Sequence, residues 1–172
     1  MKGNDQAVSG ISLSFDELYR LYATDVLRVS YYYLGNREQA EDVTQDVFVR
    51  LITNQPELEQ GREKAWLLKV ALNRCRDIWR GSWFKKVVLG HPAFELFPAP
   101  DDIGTAADRY ALAEAVSRLR PEFKEVVLLF YYQGFSVSDI ASMLDIAEGT
   151  VSSRLSRARE KLQKDLKGND VQ

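Results

Sequence analysis

Between residues 136 and 162 apolar side chains recur at Ile140, Ala141 and Leu144 and then at Val151, Leu155, Ala158 and Leu162. Steps of three, four and seven put one buried stripe on each of two successive helices. Asp145-Ile146-Ala147 between them has the length of a tight turn, with Ile146 as its apolar corner. The pattern predicts a helix-turn-helix. The same periodicity predicts helices at about 13–34, 36–53, 62–82, 105–118, 121–133, 136–144 and 147–167, and no run alternates as a strand would. The expected fold class is therefore all-α. Ser12 or Ser14 can cap the first helix, Gly35-Asn36 separates it from the second, Pro56 and Gly61 bracket a loop, and Pro121 suits a first helical turn.

The segment from Gly90 to Gly104 holds three of the five prolines and reads as a connector between two small helical domains. The expected organisation is a tail at 1–12, a helical domain at 13–82, a linker at 83–104, a helix-turn-helix domain at 105–167 and a tail at 168–172. The stretch from Trp83 to Phe97 is too apolar for a solvated linker. Either part of it packs on a domain or a partner, or Trp83–Leu89 simply prolongs the third helix.

With the apolar stripes set aside, the outward residues carry the chemistry. On the last helix these are Thr150, Ser152, Ser153, Arg154, Ser156, Arg157 and Lys161, small hydroxyls and long cations with no acid between Val151 and Arg159. Hydroxyls admit close backbone approach to a DNA groove, and arginine pairs with phosphate or with a guanine edge. A solvated face is the plainer reading of charges alone; the Gly149-Thr150 start and the three arginines favour DNA.

The second helix buries Ala40, Val43, Val47 and Leu51 and turns outward Glu41, Asp42, Gln45, Asp46 and Arg50. The third buries Leu67, Val70, Ala71 and Ile78 and shows Lys69, Asn73, Arg74, Arg76, Asp77 and Arg80, with Trp66 and Trp79 near its ends. Aromatics beside cations suit unstacked bases of single-stranded DNA, although a tryptophan at helical spacing more often belongs to a core.

Composition narrows the choice of function. The net charge of −2 divides into −5 over residues 1–60, +6 over 61–86, −6 over 87–150 and +3 over 151–172. Two basic segments in acidic surroundings point to two nucleic-acid contacts and a separate surface for something else. Cys75 is the only cysteine and His91 the only histidine, so an internal disulfide is excluded, and no metal site, cofactor site or catalytic residue is expected. The default for Cys75 is a buried, inert thiol. No segment approaches a membrane span and the N-terminus lacks a signal-peptide core, which implies a cytoplasmic protein.

AEDVTQDVF at Ala40–Phe48, AWLLKVALNRCRD at Ala65–Asp77 and GTVSSRLSRAREKL at Gly149–Leu162 resemble, in order and separation, the signature stretches of the extracytoplasmic-function sigma factors, group IV of the sigma-70 family. The resemblance covers roughly residues 13–82 and 105–167. It implies a non-enzymatic initiation factor that binds core RNA polymerase through the β′ clamp helices and the β flap, recognises promoter DNA, takes no small-molecule substrate and is restrained by an anti-sigma factor. A membrane-bound anti-sigma factor would hold it at the inner face of the membrane.

The same resemblance implies residue roles. Glu41, Asp42, Gln45, Asp46 and Arg50 would meet polymerase. Asn73 would help hold a flipped-out base of the minus-10 element beside the Gln55–Lys64 loop, with Trp66 near it and Arg74, Arg76 and Arg80 on the strand phosphates. Thr150, Ser152, Ser153, Arg154, Ser156, Arg157 and Lys161 would face the minus-35 element. Three departures from the family pattern stand out: Glu63 where many members place an aromatic, Ala147 in place of a proline, and serines at 152 and 156 where relatives carry larger side chains. The competing reading is a helix-turn-helix regulator that binds duplex operators without polymerase. It leaves the acidic-then-basic order of residues 40–80 as coincidence.

Overall fold

The computed structural model describes residues 13–89 and 105–169, with side chains described over 13–81 and 105–168. Within them lie α1 (Phe15–Leu34), α2 (Arg37–Asn54), α3 (Glu63–Leu89), α4 (Ala106–Ser117), α5 (Pro121–Val127), a π-helical turn (Leu128–Tyr132), α6 (Val137–Leu144) and α7 (Glu148–Asn169), and no strand is found among the described residues. The N-terminal tail expected at 1–12, the connector from Gly90 to Gly104 and the last three residues lie outside the described residues. The chain divides into two compact units, the first formed by residues up to Tyr31 together with Asn36–Gly81, the second by Tyr32–Gly35 and the chain from Ser82 onward.

Local chemistry sets the helix ends of the first unit. Ser14 and Glu17 form a reciprocal capping box, the Glu17 N–H donating to Ser14 Oγ at 3.3 Å and the Ser14 N–H to Glu17 Oε2 at 2.7 Å. Asn36 then caps α2, its Oδ1 accepting from the Gln39 N–H at 2.9 Å. Gln55 closes α2 in the left-handed region, and Gly61, at φ +85°, makes the turn before α3 that a side chain would strain. Leu58 is buried and pins this loop to the fold.

Leu18, Val26 and Val29 from α1, Ala40, Val43, Val47 and Leu51 from α2, and Leu67, Leu68, Ala71, Leu72 and Cys75 from α3 are all buried. Each valine or leucine among them contributes about 1.5–3 kcal/mol over its exposed state. Phe48 adds edge-on contacts to Phe15 and Tyr19, with ring centroids 6.0 and 4.9 Å apart. On α3 the apolar face is broader than the predicted stripe. It centres on 67, 68, 71, 72 and 75, which leaves Val70 and Ile78 at its edges, half-buried. The helix also runs on to Leu89, so the backbone of 83–89 continues α3.

In the second unit Thr105 and Asp108 form the capping box of α4, and Pro121 occupies the first turn of α5. The helix predicted over 121–133 widens at Leu128, where the Gln133 N–H reaches back five residues to the Leu128 carbonyl at 3.1 Å. Val116, Val126, Val127, Leu128, Leu129, Ile140, Val151, Leu155 and Ala158 form the core.

Candidate nucleic-acid and protein interfaces

The helix-turn-helix forms where its sequence pattern predicted, although Leu144, expected on the buried stripe of its first helix, is only half-buried. Ser136 Oγ caps α6 by accepting from the Asp139 N–H at 3.0 Å. Asp145 ends it at φ +55°, a left-handed position that aspartate tolerates better than most residues, and the Ile146 N–H returns to the Ala141 carbonyl at 3.0 Å. The buried side chains of α7 are Val151, Leu155, Ala158 and Leu162, the four predicted. Met143, which the sequence pattern did not single out, joins Ile140 and Ala141 in the core.

With those stripes committed inward, Ser152, Ser153, Ser156 and Arg157 stand together in solvent, while Thr150 and Arg154 are half-buried at the border of the same face. Lys161 is exposed but ion-paired with Asp165 at 3.4 Å, so its charge is partly spent within α7. A face of small hydroxyls around an exposed arginine can enter a groove; one crowded with long side chains could not approach as closely.

On α3 the steps from Trp66 to Lys69, Asn73, Arg76 and Arg80 are three, four, three and four, which places them on one face. Asn73 and Arg80 are exposed and Trp66 and Arg76 half-buried. Arg74 departs from this stripe. It leans toward α2, its Nε 3.7 Å from Asp46 Oδ2.

Glu63 is also not where a base-holding loop needs it. As the first residue of α3 it is only 3% exposed, with its carboxylate at the favourable end of the helix dipole. It acts inward: burial, together with the nearby Glu63 and Asp25 carboxylates, raises the Tyr22 hydroxyl above its ordinary pKa.

On α2, Glu41, Asp42 and Gln45 are exposed as predicted, Glu41 being paired with Arg37 at 3.1 Å. Asp46 is half-buried, its Oδ2 enclosed between Arg50 Nε at 3.1 Å and Arg74 Nε at 3.7 Å without a hydrogen bond to either, while 35% of its side chain stays exposed on that face. Sequence reasoning missed the apolar half of the surface. Val49 is 58% exposed and Ile52 46%, and with Asp42 and Gln45 they follow three-four-three spacing along one side of the helix. Tyr19 and Ala23 of α1 and Glu41 and Gln45 of α2 line a cleft of about 380 Å³ beside it. The signal was the 42-45-49-52 register, which carries two carbons-only side chains where a solvated helix would carry polar ones.

A second cleft, of about 300 Å³, lies in the second unit between α4, the π-helical turn and α7, lined by Leu112, Val116, Tyr131, Leu162 and Leu166 with Arg159 at its rim. The wide turn at Leu128–Tyr132 places Tyr131 there, half-exposed. Arg159 follows Ser152 by seven positions and Ser156 by three, so it shares their side of α7, while Leu162 and Leu166 carry the cleft further toward the C-terminal end of the helix.

Residues 18–84 match the family described as Sigma-70 region 2, and residues 109–162 match Sigma-70, region 4. The chain is 37% identical over 146 residues to the ECF RNA polymerase sigma factor SigL of Mycobacterium tuberculosis, an alignment covering 80% of each chain. It is 32% identical over 157 residues to SigE of Mycolicibacterium smegmatis, covering 87% of this chain and 60% of that relative's length. Among solved structures, the sigma factor RpoE in complex with the anti-sigma factor NepR from Bartonella quintana superposes with a TM-score of 0.71 at 26% identity, over 89% of this chain and 96% of RpoE. CnrH, solved with the cytosolic domain of CnrY, shares the fold at a TM-score of 0.69 and 23% identity, over 95% and 94% of the two chains.

Proposed function

The chain belongs to the extracytoplasmic-function sigma factors of the sigma-70 family, and from that premise we propose that it docks on core RNA polymerase, engages the minus-35 and minus-10 promoter elements and starts transcription of a specific gene set. The observation that carries this reading is the presence, in one chain, of a hydroxyl-and-arginine helix face and of a separate unit whose acidic α2 precedes a basic, aromatic-flanked α3. A regulator that binds operators unaided has no use for the second unit's partner, an exposed acidic and apolar α2.

In this assignment Ser152, Ser153, Ser156 and Arg157 read the minus-35 duplex, with Thr150, Arg154 and Lys161 at the margins. Asn73, with Trp66 beside it, receives a base of the minus-10 strand while Arg76 and Arg80 meet its phosphates. Flipping that base costs a few kcal/mol of stacking, which a preformed contact surface offsets. Glu41, Asp42, Gln45 and Arg50, extended by Val49 and Ile52, meet the polymerase clamp. The apolar cleft at Leu112 and Tyr131 receives the flap, since a carbon-lined recess suits a protein side chain and not a phosphate.

RpoE, the solved relative, is held by an anti-sigma factor, and we assign this chain the same kind of restraint, with its site of action in the cytoplasm and no catalytic role of its own. Transcription from genomic promoter fragments, with core polymerase alone and with core plus this protein, tests the central claim. New transcripts with defined starts are expected. Tight duplex binding by the protein alone, with no new transcript, would favour the regulator reading.

A further inference from the structure

We propose that Gly149 is the point of closest approach between α7 and the minus-35 duplex, where the missing side chain lets DNA rest against the helix backbone. This rests on the sigma-factor reading above and specifies how the hydroxyl face of α7 meets its duplex.

Glycine in a folded chain ordinarily answers one of two needs, a backbone at positive φ or a neighbour too close for a Cβ. Gly35, Gly61 and Gly134, at φ +66°, +85° and +73°, answer the first. Gly149 answers neither. It lies in the first turn of α7, outside the positive-φ region, and a Cβ built on it meets no atom within 4 Å among the described residues. Glycine in a helix surrenders more chain entropy on folding than alanine does, so the fold by itself would favour alanine here.

Its place on the helix supplies the reason. Ser152, Ser153 and Ser156 follow Gly149 at three, four and seven positions, so all four share one side of α7, and all four are exposed. Gly81, on α3, and Gly168, in the last turn of α7, are equally open but stand away from these serines. In a helix-turn-helix the N-terminal part of the second helix is the part that meets base edges in the groove. A duplex seated on the serines therefore meets the first turn of α7 as well, and a methyl group at 149 would hold it off. The serine contacts depend on that distance, since a hydroxyl hydrogen bond spans only about 2.5–3.0 Å.

Gly149→Ala separates the fold from the contact, because the two respond in opposite directions. In the full chain the melting temperature should stay unchanged or rise by up to about 4 °C, and affinity for core polymerase should be unaltered. Holoenzyme made with the variant should bind a duplex carrying the minus-35 element about fivefold or more weakly, the usual cost of a methyl group forced into a packed contact. Gly168→Ala, a change at an equally open glycine of the same helix, should leave duplex affinity within about twofold of wild type.

Wild-type duplex affinity in Gly149→Ala would overturn the proposal. A fall in melting temperature would overturn it as well, by making the glycine a requirement of the fold. If the wild-type chain with core polymerase yields no transcript, the sigma reading fails separately, and the duplex affinities of the free chain and of its Gly149→Ala variant still decide the part Gly149 plays.

Discussion

Arg76 donates from Nη1 to Asn73 Oδ1 at 2.8 Å, one turn apart on α3. The carbonyl half of the Asn73 amide is therefore engaged, and its NH2 group is the half left to meet a ligand. A base acceptor can pair with that NH2 group directly, whereas a base donor would share Oδ1 with Arg76. Asn73→Ala is expected to leave holoenzyme assembly intact and to reduce promoter opening by about two- to tenfold, the worth of one hydrogen bond. Asn73→Asp should do worse, since it removes the donor and adds a charge facing phosphate. Permanganate reactivity of the melted strand, with core binding followed separately by fluorescence, checks both; equal loss of assembly would contradict the role.

Arg157 and Lys161 are both exposed cations on α7, but among the described residues only Lys161 of the two has an ion-pair partner, Asp165. Arg157→Ala should weaken minus-35 duplex binding by holoenzyme by about 1–3 kcal/mol if its guanidinium reads a base edge, with relaxed sequence preference at that position. Lys161→Ala should cost less and act uniformly across sequences. Binding to a panel of single-base variants of the minus-35 element separates the two behaviours.

Much of this architecture was legible because a helix facing one neighbour shows a clean period. Val151, Leu155, Ala158 and Leu162 are buried as their spacing said, and so are Ala40, Val43, Val47 and Leu51. The period blurs on α3, buried over a wide arc, where Leu68 and Leu72 joined the core unannounced. Three facts were beyond periodicity altogether. Glu63 turns inward because α3 starts at that residue, Asp46 is claimed by an arginine 28 positions away in the chain, and the wide turn at Leu128 depends on a backbone choice that no side chain in LLFYY dictates. Pairing across helices and helix register are tertiary properties, and a one-dimensional pattern carries them only faintly.

The cleft lined by Leu112, Val116 and Tyr131 offers an independent test of the polymerase assignment. Tyr131 is half-exposed, so Tyr131→Ser removes apolar surface without opening the core. It should lower affinity for core polymerase by about 1–2 kcal/mol while minus-35 binding by the isolated protein stays unchanged. Substituting buried Val116 instead would confound binding with folding, because its truncation creates a cavity. Titration of labelled protein with core polymerase gives the first number, and duplex binding without polymerase gives the second.

The start of α4 predicts a pH dependence of known sign. The Asp108 carboxylate accepts from the Thr105 N–H at 2.9 Å and from the Thr105 hydroxyl at 2.8 Å, and these bonds, the backbone one first, lower its pKa below the usual 3.8. A depressed carboxylate pKa means the folded state binds the proton less tightly than the unfolded one. The stabilisation is therefore complete above about pH 4 and is lost as pH falls through the lowered folded value. A carboxyl-carbon NMR titration should place the Asp108 inflection below 3.8. In Thr105→Ala the hydroxyl is gone but the backbone N–H remains, so the inflection should move upward and stop short of the free value. An Asp108 inflection unchanged by that substitution would mean the hydroxyl bond does not contribute in solution, and the cap would then rest on the backbone alone.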